Sequence, residues 1–165
     1  PIDKMIQNEL KKEVDPIYLL LDGVTDPRNF GAILRSANAT SVNGVIICSS
    51  SSAPINEDVL KASSGAIFNV PISKVNNLKD AIYLLKENNI EIMGLEQKAK
   101  KLIYDINLKK PLALLIGSEE KGISKGILKM VDQKTKIPMT GTVESLNVSV
   151  AVSIALFEVL RQRNV

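Results

Sequence analysis

The chain has 165 residues, 45% hydrophobic but only 4% aromatic, with no Trp and no His. This is enough chain for one domain with a real core, and the missing His excludes imidazole catalysis, His-ligated zinc and a Ser-His-Asp triad within the chain. Lys plus Arg number 21 and Asp plus Glu 18, a net charge of +3 that leans towards an anionic partner, while the scarce aromatics argue against a broad stacking platform for single-stranded bases.

Residues 1–14 are mostly polar, apart from Pro1, Ile2, Met5, Ile6, Leu10 and Val14. They are expected to form a short helix or linker ahead of a domain over 15–165. Ile17-Tyr-Leu-Leu-Leu21 reads as an apolar strand ending at Asp22-Gly23. Phe30 to Ala39 reads as a helix with Ala32, Ile33, Ser36 and Ala37 on its inner face. Gly44-Val-Ile-Ile-Cys48 is a second strand, whose lone Cys48 reads as a small buried hydrophobe. Ser49 to Pro54 is a loop. Asn56 is expected to cap a helix with Val59 and Leu60 facing inward.

Ile67-Phe-Asn-Val-Pro-Ile72 reads as a short strand, with Pro71 placing it at an edge or ending it early. Asn77 to Lys86 is a capped helix and Ile90 to Leu95 a strand. Glu96 to Lys101 is charged and expected to be exposed. Leu112-Ala-Leu-Leu-Ile116 is the clearest buried parallel strand, and Lys134 to Ile137 a short one. Val148 to Leu160 is the terminal helix, with Val148, Val152, Ala155, Phe157 and Val159 available for packing. Its β-branched residues lower its helix propensity, so it needs burial against the sheet or a dimer partner. Strands and helices alternate without an internal repeat. The pattern predicts an α/β fold: an open, mostly parallel sheet flanked by helices, with ligands outside the carboxyl ends of the strands. No apolar run reaches the roughly 20 residues that cross a membrane, and no signal peptide is visible, so a cytoplasmic location is expected.

Neither a G-x-G-x-x-G fingerprint nor a P-loop occurs. Gly117-Ser-Glu-Glu-Lys-Gly122 is either a structural strand-to-helix turn or a backbone wall that a ligand approaches closely. Asn29 is either a helix cap or a polar group at a cleft. Arg35 is either a solvated charge or, given its otherwise small and apolar helix, a phosphate-binding fork. Glu119 and Glu120 follow a buried strand and are either a solvated acidic turn or a place where a carboxylate orients a hydroxyl or holds a backbone N–H. Ser145 and Asn147 precede the last helix and read as caps or as pocket residues.

Three segments carry a resemblance: Leu21-Asp-Gly-Val-Thr-Asp-Pro-Arg-Asn-Phe-Gly-Ala-Ile-Leu-Arg-Ser-Ala37, Leu114-Leu-Ile-Gly-Ser-Glu-Glu-Lys-Gly-Ile-Ser124 and Ile137-Pro-Met-Thr-Gly-Thr-Val-Glu-Ser-Leu-Asn-Val-Ser-Val-Ala151. In this order they resemble the motifs of the SpoU branch of the knotted (SPOUT) RNA 2′-O-ribose methyltransferases, over about residues 15–163. Ser64-Gly-Ala-Ile-Phe-Asn-Val-Pro-Ile72 resembles the bacterial 23S rRNA guanosine group. The resemblance implies a C-terminal deep trefoil knot, a homodimer and the cofactor S-adenosyl-L-methionine, held bent by the knot loops. It implies cofactor contacts at Ile116, Gly117, Ile137, Met139 and Leu146, and catalytic positions at Asn29, Arg35, Glu119, Ser145 and Asn147, with no metal. Arg28 stands where the family often has His, and Glu120 where it often has Gly. The chain begins at Pro1 rather than Met and is read as a fragment or a processed product, and the resemblance implies an N-terminal RNA-recognition domain ahead of it.

The implied reaction is in-line methyl transfer from a sulfonium to a ribose 2′-hydroxyl. An ordinary guanidinium stays protonated at neutral pH, so Arg35 is read as holding a phosphate and stabilising the developing alkoxide, with a neutral Arg base as the alternative. The expected target is a guanosine of 23S rRNA. The alternatives are tRNA 2′-O-methylation and a non-catalytic RNA-binding module.

Overall fold

Two strands set the frame. β1 (Ile17–Asp22) and β5 (Leu112–Gly117) are buried almost throughout, because helices cover both of their faces. Their side chains alternate. Ile17, Leu19, Leu21, Leu112, Leu114 and Ile116 enter one hydrophobic cluster, and Tyr18, Leu20, Ala113 and Leu115 the other. The computed structural model describes residues 1–12 and 15–164. The expected boundary after residue 14, and Val14 itself, fall at or beside residues outside the described ones.

The remaining elements are α1 (Ile2–Leu10), α2 (Pro27–Ala39), β2 (Gly44–Cys48), α3 (Glu57–Ser63), β3 (Ile72–Val75), α4 (Leu78–Glu87), β4 (Glu91–Leu95), α5 (Lys125–Leu128), β6 (Gln133–Thr135) and α6 (Val148–Arg163). Short 3₁₀ turns occupy Ala66–Phe68 and Ile103–Asp105. The sheet order is β3-β2-β1-β5-β4-β6, and every pairing is parallel. α2, α3 and α6 contribute to the first cluster, and α1, α4 and α5 to the second. Ile6 of α1 is 1% exposed and so belongs to the core. No helix among the described residues is long and apolar enough to cross a membrane.

Several boundaries differ from the sequence pattern. α2 starts at Pro27 rather than Phe30, because the Asp26 carboxylate accepts the Arg28 and Asn29 N–H groups at 2.8 and 3.2 Å. An Asp cap followed by Pro at the first helical position is a start signal in its own right. β3 begins at Ile72, where the expected strand over 67–72 ends. Residues 66–68 coil into a 3₁₀ turn, and the Pro71 carbonyl accepts the Val45 N–H at 2.8 Å, opening the edge strand. Leu60, expected inside, is exposed, while Val59 is fully buried. Within the charged 96–101 stretch Ala99 is buried.

α6 runs one turn further than expected, to Arg163. The Arg163 guanidinium donates to the carbonyls of Leu108, Asp15 and Lys110, and Gln162 bonds to the Leu108 N–H and the Ile106 carbonyl. Long-range partners thus hold a turn that periodicity alone leaves open. Glu158 is buried, and hydrogen bonds from Arg161 hold its carboxyl below the usual range. Val148, Val152, Ala155 and Val159 pack inward as expected. Phe157 does not; it and Val150, seven residues earlier, are exposed on one side of the helix.

Candidate active site

The ligand-binding end of a parallel sheet lies beyond the strand carboxyl termini. Here β1, β4 and β5 end side by side, and the chain from β6 returns to start α6 above them. Three loops meet at that helix start. Asn147 caps α6: its side-chain oxygen accepts the Ser149 and Val150 N–H groups at 3.0 and 3.3 Å. The Glu119 carboxylate, from the turn after β5, accepts the Val148 N–H at 2.8 Å. The Ala151 N–H reaches the Asn147 carbonyl at 3.0 Å. All four amides of the first turn are therefore satisfied within the chain, and the helix end is not a vacant anion site. The Asn147 side-chain nitrogen donates to Asn29 Oδ1 at 3.0 Å, joining α2 to α6 across 118 positions of sequence.

The turn after β5 is tight. The Gly122 N–H donates to the Ser118 carbonyl at 2.8 Å, and Gly122 has φ +64°. A Cβ built on Gly117 would lie 2.0 Å from the Gly122 carbonyl carbon and 2.2 Å from the Ile123 nitrogen. This close approach of two backbone segments is open only to glycine. The Asp22 carboxylate at the end of β1 accepts the Ser124 N–H at 2.8 Å and ties the far side of the turn.

A cavity of about 280 Å³ opens between these loops. Ile116, Gly117, Glu119, Ile137, Ser145 and Leu146 line it, together with Leu95 to Lys98, Lys121, Lys136, Val148 and Ala151. A second hollow of about 540 Å³ adjoins it across Ser118, Glu119, Lys121 and Val148, and is walled by Gly23, Asp26 and Asn29. The smaller cavity mixes an apolar floor with backbone and a few polar groups, as small-molecule sites do, and its volume is near the lower bound of roughly 300 Å³ for such sites. The larger one is more polar.

The sequence-derived residues separate accordingly. Ile116, Gly117, Ile137 and Leu146 share the smaller cavity with Glu119 and Ser145, whereas Met139 lines neither hollow. Asn29 faces the larger one, and Asn147 stands between its two helices as a tie. Asn29 is not the α2 cap; Asp26 is. Arg35 lies six residues beyond Asn29, about 9 Å along the helix axis. It is exposed, lines neither hollow and has no hydrogen bond or ion pair among the described residues. Its neighbour Ser36 meets Ser153 of α6 at 2.6 Å. The segment Leu95–Lys98 was not singled out in the sequence, although it follows a parallel strand and so obeys the same strand-end rule.

Replacing Asn147 with Ala removes the cap and the Asn29 tie together. The expected cost is about 1–2 kcal/mol, a fall in Tm of roughly 2–8 °C by circular dichroism. Asn147→Asp keeps the cap acceptor, so its melting curve is expected to stay close to the parent's. Equal losses in both variants would show that the cap is not what stabilises α6.

Comparison with known proteins places this geometry. The model of the SpoU rRNA methylase family matches residues 16–157. A 23S rRNA (guanosine-2′-O-)-methyltransferase, RlmB of Yersinia pestis, is 45% identical over 148 residues, 90% of this chain and 60% of that protein. The chain thus spans about three fifths of the length of the curated relatives it matches. The structure of the SpoU methyltransferase AviRb from Streptomyces viridochromogenes in complex with AdoMet superposes with a TM-score of 0.87 at 28% identity, covering 95% of this chain and 64% of that one. The A. aeolicus TrmH/SpoU tRNA modifying enzyme superposes with a TM-score of 0.83 at 30% identity, covering 99% and 84%. The sheet order and the return of α6 over β5 are consistent with the trefoil-knot fold. A family pattern that spans nearly the whole sheet and all three loops leaves one conclusion, that the chain belongs to the SpoU rRNA methylase family.

Proposed function

We propose that this chain is the catalytic part of an S-adenosyl-L-methionine-dependent RNA 2′-O-ribose methyltransferase that acts in the cytoplasm, as a homodimer, on a guanosine of 23S rRNA. The observation that carries the reading is the meeting of Asn29, Glu119 and Asn147 at the start of α6, beside a cavity floored by Ile116, Ile137 and Leu146. Similarity to RlmB supports the rRNA guanosine, and similarity to the A. aeolicus enzyme keeps tRNA as the second reading. A further RNA-recognition domain alongside this one agrees with the greater length of the RlmB relatives.

S-adenosyl-L-methionine, when bound, supplies a methyl group on a sulfonium. Ile116, Gly117, Ile137 and Leu146 are the residues that would hold it. The apolar floor disfavours water and strengthens polar contacts made at the rim. Met139 would join only if the 137–146 loop shifts. One Glu119 oxygen is committed to the α6 backbone, and the other has no hydrogen-bond partner among the described residues. That oxygen and the Asn29 side-chain nitrogen are assigned to orienting the ribose, and Ser145 to shaping the cleft between the hollows. Arg35 is assigned to the substrate phosphate and the developing alkoxide.

The deciding experiment is calorimetric titration with S-adenosyl-L-methionine, followed by mapping of 2′-O-methylation in rRNA and tRNA. Binding near one cofactor per chain and a modified rRNA guanosine are expected. A folded chain without cofactor binding would make it a non-catalytic RNA-binding module. Asn147→Asp, stable but lacking the donor to Asn29, is expected to slow transfer by at least tenfold; a parental rate would remove the tie from the mechanism. The exposed Val150 and Phe157 support dimerisation through α6. Phe157→Glu is expected to convert the dimer to monomer by light scattering, and an unchanged mass would place the interface elsewhere.

A further inference from the structure

The lysines of the charged 96–101 stretch, Lys134 of β6 and Lys136 just beyond it belong to no role described so far. The two segments are strapped together. The Glu96 N–H donates to the Thr135 carbonyl at 2.8 Å, the Lys136 N–H to the Lys101 carbonyl at 3.0 Å, and the Ile103 N–H to the Lys136 carbonyl at 2.9 Å. Buried Ala99 pins the middle of the loop, 7% exposed. Lys98 and Lys100 on either side of it therefore point outward, and both are exposed, as are Lys101 and Lys134. Lys136 and Lys98 line the cavity of about 280 Å³, while Lys100, Lys101 and Lys134 line a separate hollow of about 260 Å³. The strapped backbone thus places five lysines on two joined segments, between the cavity and the sheet edge.

Nearby acids do not neutralise these lysines. Asp132 lines the same hollow as Lys100, Lys101 and Lys134, but its carboxylate accepts the Ile92 N–H at 2.7 Å and pairs with Lys86 at 3.4 Å, leaving one acid against three lysines there. Glu96 faces the cavity, and none of the five lysine side chains has a hydrogen bond or ion pair among the described residues. Edge strands often carry lysine simply to prevent strand-to-strand association. Yet only Lys134 lies on the edge strand itself; Lys98, Lys100, Lys101 and Lys136 lie outside β6, so edge protection alone does not explain five.

We propose that Lys98, Lys100, Lys101, Lys134 and Lys136 form a phosphodiester-binding rim that guides the RNA backbone past the cavity mouth. The inference rests on the RNA-methyltransferase reading for its purpose but not for its test. Lysines act on phosphate as mobile point charges, so the rim contributes affinity and salt dependence rather than sequence choice.

The test is fluorescence anisotropy of a fluorescein-labelled 20-nucleotide oligouridylate between 50 and 200 mM KCl. The variant K100Q/K101Q/K134Q takes the net charge from +3 to 0. Loss of three single-strand phosphate contacts is expected to weaken binding at least tenfold at 100 mM and to reduce the slope of log K against log salt by roughly 2. K4Q/K11Q/K74Q makes the same charge change on other exposed lysines and is expected to bind nearly as the parent does. K100R/K101R/K134R is expected to restore binding. Equal losses in both glutamine variants, or no loss in either, would overturn the rim. Calorimetry with S-adenosyl-L-methionine runs beside it: a parent that binds RNA through these lysines but no cofactor sinks the methyltransferase reading alone, and normal cofactor binding with an indifferent rim sinks this inference alone.

Discussion

Arg35→Ala is expected to lower methyl transfer by roughly 10²–10³-fold, the usual cost of removing one charged group from a transition-state site, while S-adenosyl-L-methionine binding stays within about twofold of the parent. Two observations motivate this split. Arg35 lines neither hollow, so its loss leaves the cavity floor of Ile116, Ile137 and Leu146 untouched. Its guanidinium is exposed and makes no hydrogen bond or ion pair among the described residues, on a helix whose buried residues are Phe30, Gly31, Ile33, Leu34 and Ala37. An unpaired surface cation contributes little to stability, so the melting temperature should barely move. Arg35→Lys is expected to recover only part of the rate, because a point charge cannot reproduce the two-pronged geometry of the fork. Single-turnover rates with saturating RNA, paired with calorimetry, read the two effects separately. A mutant that transfers at the parental rate would reduce Arg35 to a solvated helix charge; a mutant that loses cofactor binding as well would place its action on the cavity instead.

Gly117→Ala is expected to be damaging in the opposite way, through the fold. The new methyl group would meet the Gly122 backbone at 2.0 Å, and a backbone neighbour cannot swing aside as a side chain can. Overpacking of this kind costs about 3 kcal/mol, which lowers Tm by roughly 6–12 °C in a domain of this size. The displaced segment holds the Ser118–Gly122 closure, and Glu119 within it caps α6. Cofactor affinity should therefore fall together with stability. Gly141→Ala serves as the comparison, because a Cβ there meets nothing within 4 Å and the residue is exposed. If Gly117→Ala melted like the parent, the turn would have to possess slack that its geometry does not show.

The elements were legible in the sequence wherever a local rule governed them. The apolar runs at 17–21 and 112–116, the Asn caps at 56 and 77, and the edge position that is one of the two readings of Pro71 all follow from periodicity and backbone chemistry within a few residues, whereas the choice of Asn147 over Ser145 as the cap of α6 does not. The start of α2 was equally local, in Asp26-Pro27, and the extended reading of 67–72 failed because a 3₁₀ turn can bury Ala66 and leave Phe68 out. The motif order carried the family, since three spaced loops are far more specific than any one glycine pair.

Composition and pattern by themselves determined a parallel α/β domain without histidine chemistry and named the polar residues available for a site. Only the tertiary structure decided which of those residues meet. β5 inserts beside β1 rather than beside β4's predecessor in the chain, so Glu119 reaches the start of α6, Asn147 reaches Asn29, and Asp22 reaches Ser124 across 102 positions. It also left Arg35 and Met139 off the cavity walls and gathered the lysines of 98–101 with those of 134–136. The physical reason is range. Dihedral preference and hydrophobic period act over a few residues, whereas strand order follows from burying both faces of the sheet at once, a condition on the whole chain.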